Sequence, residues 1–397
     1  MLSLRKRFWA EVDLDVAEAN YNLIRSKLSR GVKLCCVVKA NAYGHGAPVL
    51  AGLYEELGAD WFAVSNIEEA IQLRQYGIKK PILILGYTPP ECAALLSENN
   101  ISQAVFSPDY ARELGSFAAA EDVQVKIHIK LDTGMGRIGF FFKDEKLDSG
   151  SIDEIVAVSQ SSHLVCEGIF AHFAVADGGK ENRGYTDRQA ELFGIAVAEL
   201  CARGVSFEVR HMSNSAAIFD YPELDLDMVR AGIVLYGLPP SEEVDCTGLS
   251  PVLSLRGVVS HVKQAREGDR ISYRGDFVAK EGMKIATVPC GYADGYSRLN
   301  SRGGGYMLIN GKKASLVGRV CMDQLMLDIS DIEDVKCGDI VTVIGEQGGE
   351  RITADDVASI CGTINYEIVC DIGERVPRFY LRNGKIVAVK DNIIPLT

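Results

Sequence analysis

The chain has 397 residues, 47% of them hydrophobic, and a formal net charge of -12, which suits two well-cored domains and disfavours nucleic acid or an anionic membrane as partner. No apolar run approaches the ~18 residues of a membrane span, and the opening MLSLRKRFWAEVDLD lacks the apolar core of a signal peptide. Eleven cysteines, an odd number without a CxxC pair, read as reduced thiols in a cytoplasmic protein; no metal site is expected, and a small-molecule enzyme fits best.

Apolar runs alternate with helical patterns from the start. Asp15 followed by Glu18 has the spacing of a capping box, and Val16, Leu23, Ile24 and Leu28 form the apolar stripe of the helix it would open. Leu34 to Val38 reads as a short strand buried on both faces, with Lys39 as its last residue. A helix near Pro48 to Leu57, a strand Trp61 to Ser65 and a helix near Ile67 to Tyr76 follow, the last closed by Gly77. Further strands are expected at Pro81 to Leu85, Ser102 to Phe106, Val123 to Leu131, Val165 to Ala171, Phe207 to His211 and around Met228 to Tyr236. Counted from Leu34 that makes eight, which predicts a (β/α)8 TIM barrel rather than a doubly wound sheet. Polar groups then collect just after strand ends, where such barrels carry their chemistry: Lys39, Lys130 with Arg137, His172, Asn214 with Ser215, and Arg230.

From about Pro251 the pattern changes to alternating strand-like runs, with hairpin signals at Asn310-Gly311 and Asn383-Gly384 and one short helix near Ala354 to Ile360. The predicted division is a barrel over residues 11–245 and a smaller, mostly β domain over 246–397. Phe8 and Trp9 sit in an extended-looking pattern within the first ten residues.

The stretch VVKANAYGHG, Val37 to Gly46, delivers a lysine from a buried strand into a glycine-punctuated loop. Burial depresses an ammonium pKa toward the range where the free amine is a nucleophile, the chemistry of a Schiff base, although a lysine at a strand end can also simply reach out to water. Tyr43 adds a hydroxyl nearby, and Gly44 and Gly46 leave room for a bulky group against the backbone. This stretch closely resembles the cofactor-lysine motif of alanine racemases, which hold pyridoxal phosphate as an imine on that lysine. At least six segments recur in the family's order from residue 37 to residue 367.

In IHIKLDTGMGRIG, Arg137 could pair with a surface acid; the resemblance assigns it the substrate carboxylate, which a guanidinium fork suits, and makes Lys130 a site of carbamylation facing it. In GIFAHFAVAD, His172 is either a structural histidine or, by the resemblance, a neighbour of the cofactor ring that orients Arg230. In RHMSNSAA, Asn214 and Ser215 read equally as a helix cap or as part of a phosphate cradle, to which Gly232 and Ile233 of MVRAGIVLYGL would add backbone donors. The family's match to Arg230 faces the pyridine nitrogen, and a permanently protonated guanidinium there weakens the ring as an electron sink.

In the second domain, Tyr273 of ISYRGDF could be a packing residue at a strand end, but it aligns with the family's second catalytic group, supplied from a partner subunit. Arg274 stands where the family commonly has glycine. PCGYADGYSR contributes Tyr292 and Arg298, which resemble residues lining the entrance and supporting the tyrosine. VGRVCMDQ contributes Met322 near the substrate carboxylate and Asp323 near the entrance; CGTINYE contributes Tyr366, which closes over the cofactor. The resemblance also joins the N-terminal strand, residues 1–10, to the second domain.

The resemblance implies a homodimeric racemase with shared active sites, interconverting L- and D-alanine and supplying D-alanine for peptidoglycan. Lys39 would serve the D-enantiomer and Tyr273 the L-enantiomer, one on each face of Cα. The alternatives are a serine or broad-specificity racemase, against which Tyr366 argues, and a non-catalytic pyridoxal-phosphate carrier, which would lack the β domain.

Overall fold

In the computed structural model, which describes residues 6–393, contacts divide the chain into two units. One comprises Ala17–Ala42 and Ala47–Ser250; the other gathers Tyr43–Gly46, the residues from Pro251 onward, and the chain up to Val16. The change of unit thus falls at Ser250/Pro251 rather than at the expected 245/246.

The sheet of the first unit runs in the spatial order Met228–Ala231, Lys33–Val37, Trp61–Val64, Ile82–Ile84, Ile101–Val105, Val125–Asp132, Leu164–Phe170, Val209–His211, with every ladder parallel. The remaining seam is bridged where Asp227 N donates to Arg210 O (3.1 Å) and Arg230 N to Ser213 O (3.0 Å), giving the nearly closed eight-stranded barrel expected from the pattern. Trp61–Val64, Ile82–Ile84 and Ile101–Val105 are buried along their whole length, as strands covered on both faces must be. Each large side chain such as Phe62 contributes about 1.5–3 kcal/mol by leaving water. The run expected to reach Tyr236 breaks at Gly232 into the strand Met228–Ala231 and a 3-10 turn, Ile233–Tyr236.

The first helix differs from expectation at its start. It spans Leu14–Lys27, and its cap is Asp13, whose carboxylate accepts from the N–H groups of Asp15 (2.9 Å) and Val16 (3.1 Å). Asp15 lies inside the first turn and instead receives Arg382 and the Asn383 N–H. The buried face is accordingly Ala17, Tyr21 and Ile24 with Asn20, while Val16, Leu23 and Leu28 are only half-buried.

The second unit is built on a mostly antiparallel sheet. Phe8–Asp13 is one of its inner strands, antiparallel to Leu253–Val258 and parallel to Arg378–Arg382, with Phe8, Ala10 and Val12 buried. The expected N-terminal strand is therefore present from Phe8 and extends to Asp13; residues 1–5 lie outside the described residues. Both hairpin signals are used. Asn310 and Gly311 (φ 51 and 73) join Tyr306–Ile309 to Lys312–Val317, and Asn383 and Gly384 (φ 50 and 67) join Arg378–Arg382 to Lys385–Lys390, the two left-handed residues that a tight hairpin of this hand requires. Ala354–Cys361 is the expected helix, opened by a capping box between Thr353 and Asp356, and a second helix, Asn365–Cys370, follows it. Six residues carry too little periodicity to announce that helix from sequence.

Candidate active site

The Lys33–Val37 strand ends before Lys39, which opens a turn rather than closing the strand. Ala40, Asn41, Ala42 and Tyr43 have φ of 51, 53, 54 and 51, a left-handed helical turn made without glycine. Such a conformation costs about 1–2 kcal/mol per residue, so other bonds must hold it. Within the barrel unit, Ala42 N donates to Val38 O (2.9 Å) and Ala47 N to the Asn41 side chain (2.9 Å). The Glu69 carboxylate clamps Ala40 N (2.6 Å) with one oxygen and Ser65 N (2.8 Å) with the other. Glu69 was not singled out from the sequence; its only signal is its place three residues after the helix cap Asn66. On the other side of the turn, Gly44 and Gly46 do not keep space for a ligand. A Cβ at Gly44 would overlap the Val369 carbonyl, and one at Gly46 the Tyr380 hydroxyl. Arg378, buried, donates to the carbonyls of Gly44, Gly373, Val376 and Ile372 and so binds this loop into the β unit.

Inside the barrel unit, Lys130 lies near the end of the Val125–Asp132 strand and is buried, its ammonium 4.5 Å from the centre of the Phe170 ring. Arg230 is also buried and donates through Nη1 to His211 Nδ1 (2.7 Å), and through Nη2 to Met212 O (2.9 Å), Ala171 O (3.0 Å) and His172 Nδ1 (3.1 Å). Burial, with Arg137 adding to it, brings Arg230 down to about 10, so it remains a cation at neutral pH. Burial and then the charges of Arg230 and Arg137 push Lys130 well below the usual lysine range. Burial followed by Arg230, Lys130, Arg137 and Lys39 does the same to His172, which is thereby a neutral acceptor for Arg230. The neighbouring acid is already engaged: Asp132 accepts from Gly134 N (3.0 Å) and Gly136 N (3.0 Å) and pairs with Lys143 (3.3 Å), bonds that hold it low against the effect of burial. Arg137 itself is exposed. The set therefore carries an excess of positive charge suited to an anionic ligand.

Asn214 is the cap of the short helix Ser215–Asp220, accepting from Ala217 N (3.1 Å), so the cap reading of this residue is realised. Ser215 Oγ accepts the Gly232 N–H (2.9 Å), which commits that backbone donor but leaves the serine hydroxyl hydrogen to donate elsewhere. Ser215 and Ile233 each occupy the first position of a helical turn, where the N–H has no intrahelical acceptor.

In the β unit, the Tyr366 ring lies 6.0 Å from Tyr43, tilted by 54°. Tyr273 does not end a strand: it begins a 3-10 turn, Tyr273–Gly275, between the short paired strands Arg270–Ile271 and Phe277–Val278. Ser272, Arg274 and Gly275 all have left-handed φ (66, 67 and 60), which is the physical reason a glycine suits position 274. The turn is flanked by a small core of Ile271, Ala279, Met283 and Ile285, and Ser272 Oγ donates to Arg319 O (2.7 Å). Tyr273 is 65% exposed, Met322 53% and Tyr292 43%. The loops of Tyr292 and Met322 are stitched by Tyr292 N to Cys321 O and Ala293 N to Met322 O, both 3.1 Å. Asp323 pairs with Arg375 (2.7 Å), which also binds the buried Asp294 (2.8 Å), as does Arg7 (2.6 Å). Arg298 is exposed, and among the described residues no hydrogen bond or ion pair joins it to Tyr273, so its expected support is not made within one copy of the chain. No cluster of three or more His, Cys, Asp or Glu side chains among the described residues is arranged to hold a metal.

Comparison with known proteins agrees with this arrangement. Residues 12–240 match the model of the alanine racemase N-terminal domain and residues 252–380 that of the C-terminal domain. Alanine racemase 1 of Clostridium acetobutylicum is 43% identical over 387 residues, 97% of this chain and 98% of its own, and the alanine racemase of Clostridium tetani is 44% identical with the same coverage. Among solved structures, alanine racemase from Clostridium difficile 630 superposes with a TM-score of 0.92 at 39% identity, covering 99% of this chain and 100% of that one. Alanine racemase from Bacillus anthracis with bound L-Ala-P does so with 0.91 at 38%, covering 98% and 99%. With both domain models matched in order and relatives of this identity spanning nearly its whole length, the chain belongs to the alanine racemase family.

Proposed function

We propose that the chain is a pyridoxal-phosphate-dependent racemase that interconverts L- and D-alanine. The cation-rich set in the barrel fits the cofactor by its donors: Lys39 would hold the aldehyde end; the Ser215 hydroxyl, Asn214 and the backbone N–H of Ile233 the phosphate, with the Gly232 N–H fixing Ser215 rather than reaching the phosphate itself; Arg230 the ring nitrogen, with His172 steadying it; Tyr43 and Tyr366 would complete the binding residues. When bound, pyridoxal phosphate supplies an electron-withdrawing ring that acidifies the Cα–H of an attached amino acid. Arg137, helped by Met322, orients the substrate carboxylate, and one CO2 added to the depressed Lys130 amine, releasing a proton, would supply the anion that Arg137 lacks. Tyr292, Arg298 and Asp323 line the approach.

Proton transfer belongs to two groups. The Lys39 amine works on one face of Cα, taking the proton from D-alanine or returning one, and the Tyr273 hydroxyl of a second copy of the chain works on the other face for L-alanine. A homodimer with shared sites is the assembly this requires. The D-alanine made suits peptidoglycan assembly, and a reducing, cytoplasmic setting agrees with cysteines that form no disulfide among the described residues. The observation that carries the reading is a lysine held by a strained, multiply bonded turn, in a barrel where buried Arg230 stays a cation, Lys130 and His172 are pushed toward their neutral forms, and the neighbouring acid is already committed. The test is exchange of the alanine Cα hydrogen into heavy water. Both enantiomers should exchange and racemise, whereas a protein that takes up the cofactor yet exchanges neither would be a carrier.

A further inference from the structure

Starting at Arg230, four buried side chains form one hydrogen-bonded line through the barrel interior. Arg230 Nη1 lies 2.7 Å from His211 Nδ1, His211 Nε2 lies 2.9 Å from His128 Nδ1, and His128 Nε2 lies 3.3 Å from Glu167 Oε2. The same carboxylate oxygen accepts from Ser102 Oγ (2.5 Å), and Lys126 Nζ stands 3.4 Å from the other oxygen.

The fold is built around this line. The ladder between Val125–Asp132 and Leu164–Phe170 slips by one residue between Ile127 and His128, so Cys166 and Gly168 have partners while Glu167 is the extra residue, as in a bulge that re-aims a side chain. Gly168 leaves the space that the His128 ring occupies; a Cβ there would overlap it. His211 is stacked on Phe170 (4.8 Å, 3°), and His128 meets Trp61 edge-on (5.2 Å, 66°), so neither ring can turn freely.

Proton positions along the line follow from elementary bonding. A guanidinium only donates, so His211 Nδ1 must accept, and its proton is on Nε2. That N–H donates to His128 Nδ1, which puts the His128 proton on Nε2 and requires Glu167 Oε2 to accept it. Burial alone would push Glu167 up, but the bonds from His128 and Ser102 and the charge of Lys126 hold it at about 2, and burial keeps both imidazoles below their ordinary value.

We propose that Glu167 is a positioning residue for Arg230: acting through His128 and His211, it locks the rotation of the guanidinium and keeps the second Nη1 hydrogen for an acceptor that is not part of this chain. The inference rests on the reading of Arg230 as the partner of the cofactor's ring nitrogen. Nothing about Glu167 touches the reacting atoms.

The test is the ring 15N spectrum of histidine-labelled protein, read both without and with bound pyridoxal phosphate, beside steady-state kinetics. In the unmodified protein His128 and His211 should both be Nε2–H tautomers from about pH 6 to about pH 9. Glu167→Leu removes the acceptor, so His128 should populate a second tautomer and kcat should fall about tenfold to a hundredfold with little change in KM. Glu167→Gln, which keeps an acceptor oxygen, should restore single tautomers and most of kcat. An Nδ1–H form or an imidazolium in the unmodified protein at neutral pH would overturn the proposal. So would a Glu167→Leu protein that melts earlier yet keeps both tautomers and an unchanged kcat per loaded site. If that variant does not fold, the spectrum of the unmodified protein still decides the direction of the line. Failure of the racemase reading shows separately, as absent Cα exchange in the unmodified protein, and leaves the tautomers of the unloaded protein standing.

Discussion

In the proposed reaction Lys39 and Tyr273 do the same job from opposite faces of one carbon, yet the chain treats them differently. Lys39 is half-buried at the head of a turn pinned by side-chain and backbone bonds, whereas Tyr273 projects from a tight turn and is largely open to solvent in one copy of the chain. Tyr273→Phe removes only an oxygen, so it should retain bound cofactor, seen as its visible absorbance, while racemisation falls by about 10²–10⁴, the range for losing a positioned acid–base group. Undiminished turnover would remove the tyrosine from the reaction. The neighbouring Arg274 sits at φ 67, where a side chain is strained, and its guanidinium is only 3.8 Å from Asp276, a partner it shares with Arg319. Arg274→Gly should raise the midpoint of urea unfolding by an amount worth about 1 kcal/mol. A lower midpoint would mean that the arginine's contacts outweigh its strain.

Two elements of the barrel carry the site, and each has a measurable weakness. The left-handed turn after the first strand depends on the Glu69 carboxylate, which satisfies Ala40 N and Ser65 N together. Glu69→Ala should lower stability by about 1–3 kcal/mol and, because the turn can then relax, weaken cofactor retention on dialysis more than a comparable surface change does. Equal retention would show that the remaining bonds suffice. The interior of the barrel holds imidazoles whose burial depresses their pKa, together with Glu167 held at about 2. Below the ordinary histidine value of 6.5 the unfolded chain binds protons that the folded one refuses, so stability should begin to fall as pH drops through that point. Glu167 adds to the same trend at lower pH: its stabilisation is complete above the ordinary 4.5 and is lost as pH falls from there to about 2. Thermal melts between about pH 8 and about pH 4 should show a falling midpoint; a flat profile would mean the imidazoles are charged or solvated in the fold.

At the scale of the whole molecule, the exposed Tyr273 serves a second copy's site in the proposed assembly. Lys39→Ala and Tyr273→Phe proteins should each be inactive alone. Mixed under conditions that let subunits exchange, they should recover up to about a quarter of normal activity, because half the dimers then contain one site with both native groups. No recovery despite proven exchange would place both groups in the same chain.

The sequence by itself determined whatever is encoded in local pattern: the eight apolar strand runs, the Asn-Gly hairpins at 310 and 383, and chemistry-bearing residues that trail the strand ends, such as Lys39 and His172, whereas Arg230 lies within the Met228–Ala231 strand rather than after it. These are legible because burial on both faces and left-handed turns each demand particular residue types within a few positions. Only the tertiary structure decided that Asp13 rather than Asp15 caps the first helix, that the lysine turn runs left-handed without a glycine, and that Gly44 and Gly46 make room for the chain itself. It alone brought Glu69 to the lysine turn and lined up Glu167, His128, His211 and Arg230, because partners far apart in the chain are selected by strand register and by the slip at His128, neither of which leaves a mark on local composition.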